Sequence, residues 1–212
     1  MNRSLIAVVI VTAGLIVCGY VYREQLTSAA MAKLTEDMFV MEDSDSFDPG
    51  PAVGSRFPGL RALHRGKQIT LLDDFAGDNG TLLIASRSIE WCPYCIRQLL
   101  QLQNHLEDFE DAGIGLLAIT YDRPGVQEAF SAEFGITIPL ASDINALSFK
   151  TLGILNPDYG PDEIEYGIPY PGMIVVDPQG IVAGKLFLES YDTRIHAGAA
   201  LNYAKQALAL GN

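Results

Sequence analysis

A chain of 212 residues, 49% of them apolar, is long enough for one ordinary domain with a sizeable core and a tail besides. Its 26 acids outnumber its 14 bases, for a net charge of −12, which argues against a nucleic-acid partner because phosphate backbones call for a basic face. Three cysteines do not make a disulfide framework, so any cysteine chemistry rests on how these few are placed.

The chain opens with Arg3 and an almost wholly apolar run from Leu5 to Val21, closed by Tyr20, Tyr22 and Arg23. A run of about 17 residues is at the short limit for a membrane span and long for a signal-peptide core. Tyrosines suit the membrane interface. The expectation is an N-terminal hydrophobic helix over residues 1–24 that anchors the chain, with export after signal cleavage as the alternative. Ser28-Ala29-Ala30 and Ala30-Met31-Ala32 are candidate cleavage sites, although they lie well past the apolar run. Arg3 favours a cytoplasmic N-terminus, which places the rest of the chain extracytoplasmic (periplasmic if the source is bacterial). Between Lys33 and Arg56 stand Glu36, Asp37, Glu42, Asp43, Asp45 and Asp48 with no base among them. With Ser44, Pro49, Gly50 and Pro51 they predict a solvated acidic linker over residues 25–51.

From residue 52 to 212 the pattern is that of one folded domain. Arg65-Gly66-Lys67 between two short extended pieces predicts a hairpin. Thr81 to Ser86 and Ile114 to Thr120 predict buried strands. Between them, Ile96, Leu99, Leu100, Leu102, Leu106 and Phe109 recur at helical spacing over Pro93–Ala112, which Gly113 ends. A helix is predicted over Pro124–Phe134, with proline at its start and Gly135 after it. Ile138–Leu140 is a short extended piece, Asn145–Leu152 a short helix, and Asn156–Glu163 a loop-forming insertion. Met173–Val176 and Ile181–Leu188 are strands joined by the turn Asp177-Pro178-Gln179-Gly180. Thr193 is placed to cap a closing helix through Leu208. Strand–helix alternation followed by a hairpin and a helix predicts an α/β fold, a mixed central sheet with helices on both faces.

Trp91-Cys92-Pro93-Tyr94-Cys95 follows the first buried strand directly. Cysteines at i and i+3 on a first helical turn bring their sulfurs to one face, close enough to bond. Cys92, at the helix N-terminus, meets unpaired N–H groups and the positive end of the dipole, which stabilise a thiolate nucleophile. The expectation is an exposed, reactive Cys92 and a more buried Cys95 that resolves what Cys92 forms. Zinc would need further ligands, but Cys18 lies in the apolar run and His64, His105 and His196 have no ligand spacing, so no metal is expected. No bound cofactor is needed either, because the two cysteines carry the electrons. Trp91 is expected to shield the pair. Two readings stay open for Arg87, a thiolate stabiliser or a solvated strand-end charge. Glu90 likewise is either a proton acceptor near Cys95 or a solvent-facing acid.

Around Ser86–Cys95, Ala118–Asp122 and Gly167–Gly180, the chain resembles the redoxin branch of the thioredoxin superfamily, which holds the AhpC/TSA (peroxiredoxin-like) proteins and membrane-anchored thiol–disulfide oxidoreductases. The resemblance implies a thioredoxin-like fold over roughly residues 52 to 208. It implies a cis-proline facing the sulfurs, and register places it at Pro171, after Tyr170, with Pro169 two residues away. Tyr94, Pro93, Tyr170 and Pro171 would then line a substrate groove beside the catalytic Cys92 and Cys95. Many peroxiredoxins carry Thr or Ser three residues before the peroxide-attacking cysteine, where this chain has Ile89. The leading expectation is therefore thiol–disulfide exchange with a protein or small-molecule disulfide. A thiol peroxidase that reduces hydroperoxides and a redox-inert binding module are the alternatives.

Overall fold

The computed structural model describes residue 30 and residues 32–210. The apolar run expected to anchor the chain lies outside them. Among the described residues no helix is long and apolar enough to cross a membrane. The chain divides into two compact units, Met1–Asp37 and Met38–Asn212, and the second carries all the elements named here.

Seven strands form one mixed sheet in the order β3-β2-β6-β5-β4-β7-β8. They are β2 (Ala62–His64), β3 (Lys67–Ile69), β4 (Gly80–Ala85), β5 (Ile114–Thr120), β6 (Leu140–Ser142), β7 (Gly172–Val176) and β8 (Val182–Phe187). β4 and β5 run parallel at the centre, while β7 joins β4 antiparallel, so Leu83 sits opposite both Leu117 and Ile174. All six residues of β4 are buried, as expected of a strand covered on both faces.

Alternation along β4 sends Leu82 and Ile84 to one face and Leu83 and Ala85 to the other. The first face packs on Ile96, Leu99 and Leu102 of α1 (Pro93–Asn104), Phe109 of α2 (Leu106–Asp111), Phe130 of α3 (Pro124–Phe134) and the alanines of α5 (Ala197–Ala207). The second packs on Phe149 and Leu152 of α4 (Leu147–Leu152) and on Phe57 and Leu60. Truncating a fully buried leucine such as Leu99 to alanine should cost about 2–5 kcal/mol. The expected thioredoxin-like α/β architecture, a mixed sheet flanked by helices, is present.

Departures from expectation are local. The single helix expected over Pro93–Ala112 breaks at His105, whose φ of −107° and ψ of 9° are not helical; its Nδ1 meets Asp108 Oδ2 at 2.8 Å, holding the start of α2. α3 keeps its predicted bounds, and Gly135 closes it at φ 66°, a conformation that costs glycine nothing. β6 begins at Leu140, two residues later than the extended piece was expected. α5 is capped by His196, whose Nδ1 accepts the Gly198 N–H, and not by Thr193, whose hydroxyl turns to Ser190 and Asp192.

Two short strands went unpredicted. β1 (Phe39–Val40) pairs parallel with β9 (Arg194–Ile195). The acidic stretch is thus not solvated throughout, and from Met38 it lies on the domain. Asp43 Oδ2 and Asp45 Oδ2 accept the Phe187 and Glu189 N–H groups at 3.2 and 2.9 Å, and Lys185 pairs with Asp48 at 2.8 Å. Carboxylates here occupy the open edge of β8, which would otherwise present bare N–H groups. Burial pushes the Asp43 carboxyl up.

Candidate functional site: a buried dithiol under two arginines

β4 ends at Ala85, and the loop Ser86–Trp91 leads into Cys92, the N-cap of α1. That loop is shaped by Asp122, just past the end of β5. Its carboxylate accepts the Ser88 hydroxyl at 2.7 Å and the Ile89 N–H at 2.9 Å, while Ser88 Oγ accepts the Glu90 and Trp91 N–H groups. Asp122 is itself buried, and its carbonyl accepts the Ser142 hydroxyl. A buried carboxylate filled with donors in this way fixes the loop and therefore the cap.

Cys92 and Cys95 form a disulfide, with Cα atoms 5.3 Å apart. Cys92 Sγ also accepts the Cys95 N–H at 3.3 Å, so the helix N-terminus meets the first sulfur as the spacing predicts. Exposure differs from expectation. Both cysteines are fully buried, Cys92 no less than Cys95. The cause is the strap Glu189–Thr193 between β8 and β9, whose backbone is pinned over the pair. Tyr191 O accepts from Arg87 Nη2 at 2.8 Å and from Arg194 Nη1 at 2.9 Å.

These two arginines dominate the electrostatics. Arg87 is 6% exposed and Arg194 2%. Arg87 Nη2 donates to Cys92 Sγ at 3.4 Å and Arg194 Nη2 to Cys95 Sγ at 3.5 Å, one guanidinium to each sulfur. Arg194 also donates to Thr193 O. Burial pushes both arginines below their ordinary value. Burial, reinforced by repulsion from Arg87, takes Arg194 down to about 9. Both stay cationic at neutral pH. Among the described residues the Nε atoms of both lack a partner. Two buried cations aimed at two sulfurs stabilise thiolate at either one.

Arg87 is not the solvated strand-end charge of the second reading, being buried with its guanidinium beside the Cys92 sulfur. Its guanidinium also lies 6.0 Å from the Trp91 ring centroid and 5.4 Å from that of Tyr191. Trp91, 37% exposed, forms the outer wall and donates from Nε1 to Tyr121 Oη at 2.6 Å. Tyr94 meets Tyr191 edge-on at 6.1 Å, and Pro93 is the first helical residue of α1. Glu90 faces solvent. The Tyr170–Pro171 bond, expected cis, is trans, as is every described peptide bond. The chain enters β7 already extended, because Pro169 bridges Leu155 and the Tyr170 N–H donates to Ile154 O, so no sharp turn arises there. Tyr170 packs on Phe47 at 4.8 Å, on the other face of the sheet from α1. Pro171 is buried and shares a small cavity with Gln98 and Arg194. A groove of about 750 Å³ beside β2 does not include the dithiol.

Sequence reasoning missed Arg194, Asp122, Tyr121 and Tyr191. Asp122 carries a weak signal as a polar residue at the C-terminal end of a buried parallel strand, where sites in such sheets gather. Arg194 carries none, being separated from Cys95 by 99 positions. No group of metal-ligating side chains occurs among the described residues.

Residues 53–185 match the AhpC/TSA family model. Alkyl hydroperoxide reductase E of Mycobacterium tuberculosis is 29% identical over 130 residues, 61% of this chain and 81% of that protein. The 1-Cys peroxiredoxin PER1 of Hordeum vulgare is 26% identical over 143 residues, 63% of each chain. Among solved structures, a peroxiredoxin-like protein from Aquifex aeolicus superposes with a TM-score of 0.63 at 19% identity, covering 76% of this chain and 90% of that one.

Proposed function

The chain belongs to the AhpC/TSA family and is an oxidoreductase, and on that premise we propose that it is a thiol peroxidase working through Cys92 and Cys95. The observation that carries the reading is the guanidinium set on each sulfur. The Cys92 thiolate attacks the terminal oxygen of a hydroperoxide. The O–O bond breaks, the alkoxide leaves and takes a proton, and Cys92 becomes a sulfenic acid. Cys95, held as thiolate under Arg194, then attacks the Cys92 sulfur. Hydroxide leaves, is protonated to water, and the disulfide forms. Two electrons pass from the dithiol to the peroxide. Arg87 is placed to stabilise the attacking thiolate and the developing oxyanion.

A second reading, thiol–disulfide exchange, is favoured by one feature. Ile89 stands where many family members carry a hydroxyl, and the Ser88 hydroxyl is spent on Asp122. Cys92 would then attack a substrate disulfide and Cys95 would release the product. Mixing the reduced protein with cumene hydroperoxide, and separately with a protein disulfide, tests the choice. The peroxidase reading expects the hydroperoxide to close the disulfide much faster than it oxidises free cysteine. A reaction no faster than free cysteine, alongside rapid exchange with the protein disulfide, would replace the first reading by the second.

The apolar run Leu5–Val21 belongs to the same proposal as a membrane anchor that keeps the catalytic unit extracytoplasmic. Its support is compositional: the run itself, Arg3 before it, and the tyrosines after it.

A further inference from the structure

A disulfide made in each cycle must be reduced again, and both sulfurs are out of reach of solvent. The surface above them is therefore where a reductant has to land. Its composition is unusual for the exterior of a soluble unit. Trp91, Tyr94, Tyr121 and Tyr191 ring the dithiol, joined by the Trp91–Tyr121 hydrogen bond and edge contacts at 6.4 and 6.1 Å. The ring cluster extends to the insertion and the residues that follow it as far as Gly167, since Tyr121 Oη donates to Ile164 O. Ile164 is 77% exposed and Tyr191 63%. Scattered apolar side chains on a surface are ordinary, but a contiguous aromatic patch over a reactive group is a contact site.

The rim of the patch is acidic. Glu90 and Glu165 act electrostatically on Tyr121, and Asp192 on Tyr94. The segment from Asn156 to Gly167 contributes Asp158, Asp162, Glu163 and Glu165 with no base. Arg123, exposed after β5, offsets part of this charge. The two arginines at the centre are sunk beneath the rings.

We propose that this face docks a protein or peptide dithiol whose reactive cysteine is flanked by an apolar side chain and by lysine or arginine. The apolar flank meets Trp91 and Tyr191, and the bases meet the carboxylate rim. The partner's thiolate attacks Cys92, and the Cys92–Cys95 bond breaks with Cys95 leaving as thiolate beneath Arg194. The partner's second thiolate then attacks its own mixed-disulfide sulfur and releases Cys92. The partner is oxidised by two electrons and the protein's disulfide is reduced. Opening the strap at Tyr191 admits the incoming sulfur. The inference rests on the turnover proposed above, but its test starts from the oxidised protein and needs no peroxide, so either can fail without the other.

The test uses the oxidised full-length chain and two short dithiol peptides, alike in a leucine beside the cysteine but flanked by lysines in one and glutamates in the other. Trp91, the chain's single tryptophan, reports reduction by fluorescence. Each rate is normalised to the same peptide's rate with uncharged hydroxyethyl disulfide, which removes intrinsic thiol reactivity. The lysine peptide should be about tenfold faster at low salt, and the gap should close near about 0.5 M salt, as screening requires. Glu165→Lys should narrow the ratio about twofold. Equal normalised rates at low salt, a faster glutamate peptide, or both peptides slower than dithiothreitol would each overturn the proposal.

Discussion

Arg194→Met removes the guanidinium above Cys95 while keeping an unbranched side chain in its place. In the disulfide state the arginine is a buried cation held down to about 9 by burial and by Arg87, so losing it leaves the oxidised protein no worse off electrostatically. In the reduced state it is a charge-assisted donor to Cys95, an interaction of about 1.5–3 kcal/mol. The bonds to Tyr191 O and Thr193 O are lost in both redox states and cancel, so the difference between the states is the contact to a charged sulfur. At about 1.4 kcal/mol per 30 mV for a two-electron couple, the midpoint potential should drop by roughly 30–65 mV. The Cys95 thiol should rise by about 1–2 pH units, at 1.36 kcal/mol per unit. Equilibration in thiol–disulfide buffers read by Trp91 fluorescence gives the potential, and ultraviolet thiolate absorbance gives the titration. An unchanged or raised potential in a variant with a native circular dichroism spectrum would refute the assignment.

Arg194 also sets a pH signature: its proton is held in the disulfide state only below about pH 9, but more tightly once Cys95 is a thiolate. Above about pH 9, reduction therefore takes up one further proton, and the potential should fall about 30 mV per pH unit more steeply than below it. That extra slope should be absent in Arg194→Met. In Cys95→Ser, stoichiometric hydroperoxide should stop at a Cys92 sulfenic acid that dimedone traps, whereas Cys92→Ser should give no such adduct; trapping at Cys95 instead would reverse the roles. Asp122→Ala strips the acceptor from Ser88 and Ile89 and should cost about 1–3 kcal/mol in denaturant unfolding, together with a slower reaction at Cys92. Full-length chain should stay with membranes through carbonate extraction, and its recovery in the soluble cytosol would remove the anchor.

What could be foreseen was whatever neighbouring residues encode. β5 and α3 appear at their predicted bounds because burial, Pro124 and Gly135 are written into each stretch. The dithiol on the first turn of α1 follows from the Cys92–Cys95 spacing and the strand before it. What sits above that turn does not. Cys92 was expected to be exposed because a helix N-terminus is an open end in isolation. The strap that buries it comes from the far side of β8, held by a carbonyl shared between two arginines. The same holds for Pro171, where the resemblance implied a cis bond but the bond is trans, because the path into β7 depends on pairing with Leu155 and Ile154.

The acidic stretch shows how far such long-range dependence reaches. Composition marks residues 38–48 as solvated, yet they are built into the support of the dithiol. Met38 O accepts the Arg194 N–H at 2.7 Å and Val40 O accepts the His196 N–H at 2.8 Å, so β1 fixes the backbone on both sides of β9. Asp45 then holds the Glu189 N–H, at the root of the strap. Asp43→Ala with Asp45→Ala in the full chain removes both carboxylates from the β8 edge. At about 1 kcal/mol for each of the two bonds to the β8 edge, with the local bonds from the Asp45 and Phe47 N–H groups lost besides, the double variant should lose at least about 2 kcal/mol of unfolding free energy. A freed Glu189 also loosens the strap, so alkylation of the reduced pair should quicken and hydrogen exchange rise over residues 187–194, far from the substituted positions in sequence. If alkylation and exchange there match the parent chain while stability falls, the acidic stretch guards the sheet edge and has no part in covering the sulfurs.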